Sequence, residues 1–309
     1  MEEYDSNPST GSLERRTFIV NALKVAGASA ILTVPGFSMA MPKQNYTATY
    51  TVQDIINIIL KEIPGTPFAK TVDTLKSGSA NQTVSGIVST MFATVKVIRE
   101  AARLKANFII AHEPTFYNHE DNVDWVKDSH IVKLKQELLA QNNIAVWRFH
   151  DYWHSHRPDG IRNGFLKDTG WLSYYQPDKQ VMQLPSMSLQ NLANHLKTSL
   201  HIDHVRVIGD LSQSCSKVAL LPGASGGQSQ MSLVERERPD VLIVGEVHEW
   251  ETAEYIRDSI ALDNKIGLIV LGHSVSEEAG MGWLVDWLQP KIPELKVSHI
   301  ASESPFIWV

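Results

Sequence analysis

The chain has 309 residues, 43% hydrophobic and 20% charged, ordinary values for a globular protein able to bury a sizeable core. Its formal charge of −6 offers no basic surface for nucleic acid, and a single cysteine, Cys215, excludes an intramolecular disulfide and a Cys-rich metal site. Any bound metal must be held by carboxylates and by some of the 12 histidines.

Residues 1–40 read as a twin-arginine-type signal peptide. Arg15 and Arg16 precede an apolar core, Val25 to Val34, too short to span a bilayer, which takes about 20 residues. Ser38-Met39-Ala40 then offers small residues at both key positions of a cleavage site. The expected location is periplasmic or extracellular, with no membrane association after cleavage.

From Thr51 onward, helical and short apolar segments alternate. Thr51 to Ile63 has Ile55, Ile56, Ile59 and Leu60 at helical spacing, and Pro64-Gly65-Thr66-Pro67 ends it. Gly86 to Ser89 reads as a strand, and Thr94 as the cap of a helix through Leu104. Phe108 to Ala111 is a strand, Ile131 to Gln141 a helix, and Ile144 to Phe149 a strand. Residues 157–180 read as a connection with some helix. Further on, Leu189 to Leu200, Thr252 to Ile260 and Met281 to Leu288 read as helices. Val205 to Ile208, Val218 to Leu221, Val241 to Val244 and Gly267 to Leu271 read as strands, with a tight turn at Gly223 to Gly227. Apolar strands alternating with helices predict an α/β fold with sheets covered on both faces.

Four strands run into metal-capable side chains. Phe108 to Ala111 leads to His112-Glu113, and Ile144 to Phe149 to His150-Asp151, His154 and His156. Val241 to Val244 leads to Glu246 and His248, and Gly267 to Leu271 to His273 and Glu277. Ligands of open α/β sheets bind beyond the carboxyl ends of strands, so these side chains are expected in one crevice. His154 and His156, two apart, share a side of an extended segment, and His273 and Glu277, four apart, share a helix face. His112-Glu113-Pro114 is not the HExxH zinc helix, because residue 116 is Phe and Pro114 disrupts a helix. The glycine turn is either a plain tight turn or an anion cradle.

These segments resemble the NIF-three-like family, also known as GTP cyclohydrolase I type 2-like. Asn107 to Tyr117 (NFIIAHEPTFY) and Gly272 to Met281 (GHSVSEEAGM) are the specific matches, and 218–227 and 238–253 fall in the family's order between them. The resemblance covers roughly residues 50–309. It implies two similar α/β domains with mixed sheets, the first formed by 47–180 with 272–309 and the second by 181–271. It also implies two neighbouring divalent ions held by His112, Glu113, His154, His273 and Glu277, and a homo-oligomeric, hexameric ring. The chain departs from the family pattern in three places. Glu113 stands where the family has a second His, His154 stands at an Asp position that Asp151 could fill instead, and Trp250 stands where a His is expected, with His248 two residues earlier.

A set of imidazoles and carboxylates suits Zn, Fe or Mn. The leading expectation is dinuclear metal-dependent hydrolysis of an unknown small molecule, with His150 or His248 shuttling protons. An exported protein would not meet cytoplasmic GTP. The alternatives are a metal-binding or metal-handling protein without turnover and a plain α/β protein with incidental histidines. Residues 1–45 fused to a reporter are expected to direct export. A reporter that stays in the cytoplasm, or that moves equally well after Arg15 and Arg16 are both changed to Lys, excludes the twin-arginine route.

Overall fold

The computed structural model describes residues 49–177 and 179–309. The leader read at 1–40 and its cleavage site lie outside the described residues.

The first half builds one sheet. Helix α1 (Val52–Leu60) starts at a capping box, in which Thr51 and Asp54 satisfy each other's backbone N–H. Strands β1 (Leu75–Ser77), β2 (Ile87–Thr90), β3 (Phe108–Ala111) and β4 (Ala145–Arg148) follow, with α2 (Val95–Arg103) after β2 and α3 (His130–Gln141) after β3. Thr94 and Ser129 cap α2 and α3 with their hydroxyls. Two short helices, α4 (Asp151–Ser155) and α5 (Gly160–Asp168), close this half.

The second sheet uses β5 (Val181–Ser188), β6 (Arg206–Ile208), β7 (Ser214–Leu221), β8 (Val241–Val244) and β9 (Gly267–Val270). Between them run α6 (Leu189–Ser199), α7 (Gly227–Glu237) and α8 (Glu254–Ala261), the last preceded by a π-helical turn at Glu249–Ala253. The chain then returns through α9 (His273–Leu288) and adds β10 (Val297–His299) to the first sheet.

Strand orders are β1-β4-β3-β2-β10 and β5-β7-β8-β9-β6. In each, a parallel centre is flanked by antiparallel strands: β1 in the first sheet, β5 and β6 in the second. β2, β3, β4, β8 and β9 are buried along their whole length. Their alternation shares the core between two faces. Ile87, Phe108, Ile110 and Trp147 pack with α1 and α9, while Val88, Ile109 and Val146 pack with α2 and α3. In the second sheet Val241, Ile243 and Ile269 face α6, and Leu242, Val244 and Leu268 face α7 and α8. The mixed, doubly covered α/β architecture expected from the sequence is what the chain adopts.

Two sequence expectations need correction. Residues 151–155 are helical, so His154 and His156 do not share a side. Helix α9 begins at His273, a full two turns before the expected Met281, because Gly272, at φ 96°, turns the chain straight from β9 into it.

Helices α5 and α9 cross at van der Waals contact of their backbones. A Cβ on Gly164 would lie 2.3 Å from the Ala279 carbonyl oxygen, and one on Gly280 2.5 Å from Ile161 Cα. Both obstacles are backbone and cannot rotate away. Gly164→Ala is expected to lower the urea midpoint by an amount worth about 2–3 kcal/mol, with an unchanged m-value. An unshifted midpoint would show that the crossing can open without cost.

Candidate metal centre

The carboxyl ends of β3, β4, β8 and β9 converge. His112 and Glu113 follow β3, His150 follows β4, Glu246 lies just past β8, and His273 opens α9 after β9. His154 and Glu277 come from α4 and α9.

His112 is completely buried, and its Nδ1 donates to the Phe149 carbonyl at 3.0 Å. This leaves Nε2 as a bare acceptor, with no hydrogen-bond partner among the described residues. Burial first, then the neighbouring His154 and His150, hold its pKa well below the usual imidazole range. The ring is therefore neutral, its lone pair pointing inward. Glu277 Oε2, equally buried and unpartnered, lies 3.7 Å away. His273 Nε2 stands 3.2 Å from that oxygen and 3.4 Å from Glu113 Oε1. Glu113 Oε1 is also 3.5 Å from His150 Nε2 and 4.0 Å from His112 Nε2.

The other imidazoles repeat the arrangement of His112. His150 Nδ1 pairs with Asp151 at 2.9 Å, His154 Nδ1 with Asp159 at 3.1 Å, and His273 Nδ1 with Glu246 at 2.8 Å. An oxygen behind each ring fixes its tautomer and leaves Nε2 as the donor atom, the usual outer-shell pattern of metal-bound histidine. The rings of His112, His150 and His154 have centroids 4.7–5.0 Å apart. Among the described residues, two groups offer donor atoms within 4.8 Å of one another: His112, His150 and His154, and His112, Glu113 and Glu277.

Several supports were not singled out from the sequence. Asp159 both caps α5, through the Arg162 N–H, and orients His154. Glu246 was noticed at its strand end but not assigned to the site; the Gly-Glu after β8 was the signal. Asp73 accepts the backbone N–H groups of His150, Asp151 and Tyr152, seating the start of α4. Burial outweighs those three donors and pushes its carboxyl up to about 6. Arg148, fully buried, reaches Glu113 Oε2 at 3.4 Å and Asp121 at 3.6 Å. Asp151 is tied to Thr71, Val72 and His150, and so faces the back of the His150 ring. His156 turns away to Pro158 and the Trp153, Trp283 and Trp287 rings. His150, expected as a proton shuttle, sits inside the imidazole group. His248 is exposed and bonds Glu251. The glycine turn presses on a ligand: a Cβ on Gly223 would lie 2.3 Å from Glu277 Oε1.

The donors fit a divalent ion: imidazoles and carboxylates, among them the buried, unpartnered Nε2 of His112 facing Glu277 Oε2. Fold and site together define an α/β protein with two mixed sheets and an imidazole–carboxylate centre where their strand ends meet. Residues 50–305 match the family described as Duf34/NIF3 (NGG1p interacting factor 3), and the chain belongs to that family. A GTP cyclohydrolase 1 type 2 homolog of Clostridium perfringens is 24% identical over 238 residues, 73% of this chain and 86% of that protein. The solved Bacillus cereus protein related to NIF3 superposes with a TM-score of 0.66 at 18% identity, over 84% of this chain and 99% of that one. Reduced HcgD from Methanocaldococcus jannaschii gives a TM-score of 0.61 at 16% identity, over 81% and 98%. These structural likenesses establish the shared fold.

The His273 imidazole carries a proton that a metal must displace. Burial alone would lower its pKa, but Glu113, Glu246 and Glu277 overturn that and push it up to about 12. With the folded pKa above the unfolded one, this ion pairing stabilises the metal-free chain fully below about pH 6.5 and is lost only as pH rises through about 12. Metal loading at pH 8 is therefore expected to release at least one proton per chain, with affinity rising with pH. Calorimetric titration in two buffers of different ionisation enthalpy measures this; equal heats in both buffers would contradict a protonated His273.

Proposed function

We propose that the chain binds two divalent metal ions and hydrolyses a small molecule with them. The observation that carries this reading is His112 Nε2, a buried lone pair with no hydrogen-bond partner among the described residues, which faces Glu277 Oε2 at 3.7 Å. Leaving one such group unsatisfied costs about 1–3 kcal/mol, and two acceptors facing each other add repulsion. Burial holds His112 neutral, so its Nε2 brings no proton to relieve the pair. Cations bound beside these two atoms would remove both costs.

The ions, when bound, supply Lewis acidity that polarises a substrate oxygen and acidifies water. The remaining work belongs to the chain. Asp151, Asp159, Glu246 and the Phe149 carbonyl hold four rings in place. Arg148 takes one oxygen of Glu113 and so keeps the other turned inward. Glu246, half exposed beside His273, connects the centre with solvent and is placed to pass protons out. His248 with Glu251, two residues further along, extends this exposed polar edge. The Arg15-Arg16 leader supports placing the working protein outside the cytoplasm, and the family resemblance supports a homo-oligomer.

The test is metal analysis of anaerobically purified protein, followed by a phosphoester, cyclic amide and peptide hydrolysis panel. Turnover of at least one class, lost about 100-fold or more in His112→Ala and Glu277→Gln, is expected. Full loading with no turnover would leave a metal-handling protein. Less than about 0.3 metal per chain, unchanged in His273→Ala, would end the metal reading.

A further inference from the structure

We infer that the two metal positions are chemically unlike and take different ions: one built from the imidazoles of His112, His150 and His154, the other from His273 with the carboxylates of Glu113 and Glu277. The inference rests on the metal-binding reading above and adds which residue serves which ion.

The assignment follows from counting free atoms. His112 belongs to both close donor groups, yet it has one free nitrogen, since Nδ1 is committed to the Phe149 carbonyl. One imidazole nitrogen lone pair serves one ion. His273 resolves the conflict. Its Nε2 lies 3.2 Å from Glu277 and 3.4 Å from Glu113, so the carboxylate group has an imidazole of its own. His112 is then free to complete the set with His150 and His154, whose rings surround it at 4.7 and 5.0 Å.

The two sets differ in preference. Three neutral imidazoles with a fourth position open are the donor set of a four-coordinate zinc-type ion. Two carboxylates and one imidazole make a harder set, suited to Mn²⁺ or Fe²⁺ with more ligands. The outer groups follow the same division. Asp151 and Asp159 stand behind the first set and Glu246 behind His273. Arg148, bonded to Glu113, tempers the carboxylate side.

The test uses the full chain, stripped by chelator and then loaded with equimolar Zn²⁺ and Mn²⁺. After gel filtration, one zinc and one manganese per chain are expected. Co²⁺ added first, at one equivalent, is expected to give the intense visible absorption of a four-coordinate ion, and a second equivalent the weak absorption of a higher-coordinate one. His150→Gln is expected to lose the zinc equivalent and keep the manganese, and Glu277→Gln to do the reverse. The metal-free melting temperature of each variant shows that it is folded. The wild-type Co²⁺ spectra decide the matter even if a variant is not folded. Two equivalents of one metal with identical spectra would overturn the inference while leaving a dinuclear centre. No bound metal at all would overturn the underlying reading as well.

Discussion

The hydrogen bond from His112 Nδ1 to the Phe149 carbonyl governs the chemistry of the buried centre. It ties the residue after β3 to the residue after β4, two strands already held in parallel register from Phe108↔Ala145 to Ala111↔Arg148. Because the acceptor is a carbonyl, Nδ1 must carry the hydrogen, and Nε2 is left with its lone pair facing the buried interior. Asp151, Asp159 and Glu246 impose the same choice on three more rings. These acceptors come from the β4–α4 turn, the start of α5 and the end of β8, so the centre depends on both sheets keeping their places. Local openings that separate the two sheets would weaken metal binding before they unfolded either core.

Charge explains how so many acids are tolerated there. Glu113, Glu277, Asp151, Asp159 and Glu246 all touch the imidazole cluster, and an unpaired buried carboxylate is costly. Arg148 meets Glu113 from behind. In the metal-free chain the pKa of His273 is raised by its carboxylates. For His154 burial alone would lower the value, but Asp159, with Glu277 and Glu113, raises it. Burial lowers those of His112 and His150, helped in His112 by the neighbouring His154, His150 and His273. The proton on His273 holds the place of a cation, which helps the chain fold around its acids before an ion arrives and makes loading an exchange of proton for metal.

Much of this was legible in the sequence, and the exceptions have physical causes. Phe108–Ala111 and Val241–Val244 are apolar runs bounded by polar residues, and the structure gives them the same limits. Thr94, as a cap, marked α2 because its hydroxyl has no better partner than the N–H of Val97. Strands β1, β5 and β10 lie at sheet edges and carry mixed burial, so their sequences lack the continuous apolar signal of the central strands. The histidines after β4 were misjudged because the period was taken as two. Asp73, far away in sequence, starts a helical turn there and brings His150 and His154 to one side at spacing i, i+4. Asp159 and Arg148 could not be assigned from one sequence, since their part in the site exists only through distances that folding sets.

The same distances bear on whether the centre turns substrate over or merely stores metal. Arg148 occupies Glu113 Oε2, so that carboxylate offers only Oε1 to an ion. Glu277 points Oε2 at His112 and His273, while its Oε1 lies against the Gly223 turn, where even a methyl group would not fit. Each acid therefore has one oxygen to offer an ion. With one nitrogen from each of four imidazoles, six atoms would face the two proposed ions. Even if both oxygens bridged, a manganese-type ion on the carboxylate side, which favours six ligands, would retain places for water and substrate. A storage site closes its shell with protein atoms, whereas a catalytic one leaves a position open. Arg148 and the glycine turn, by taking one oxygen from each carboxylate, limit what the two acids could give an ion, which is the arrangement the proposed hydrolysis needs.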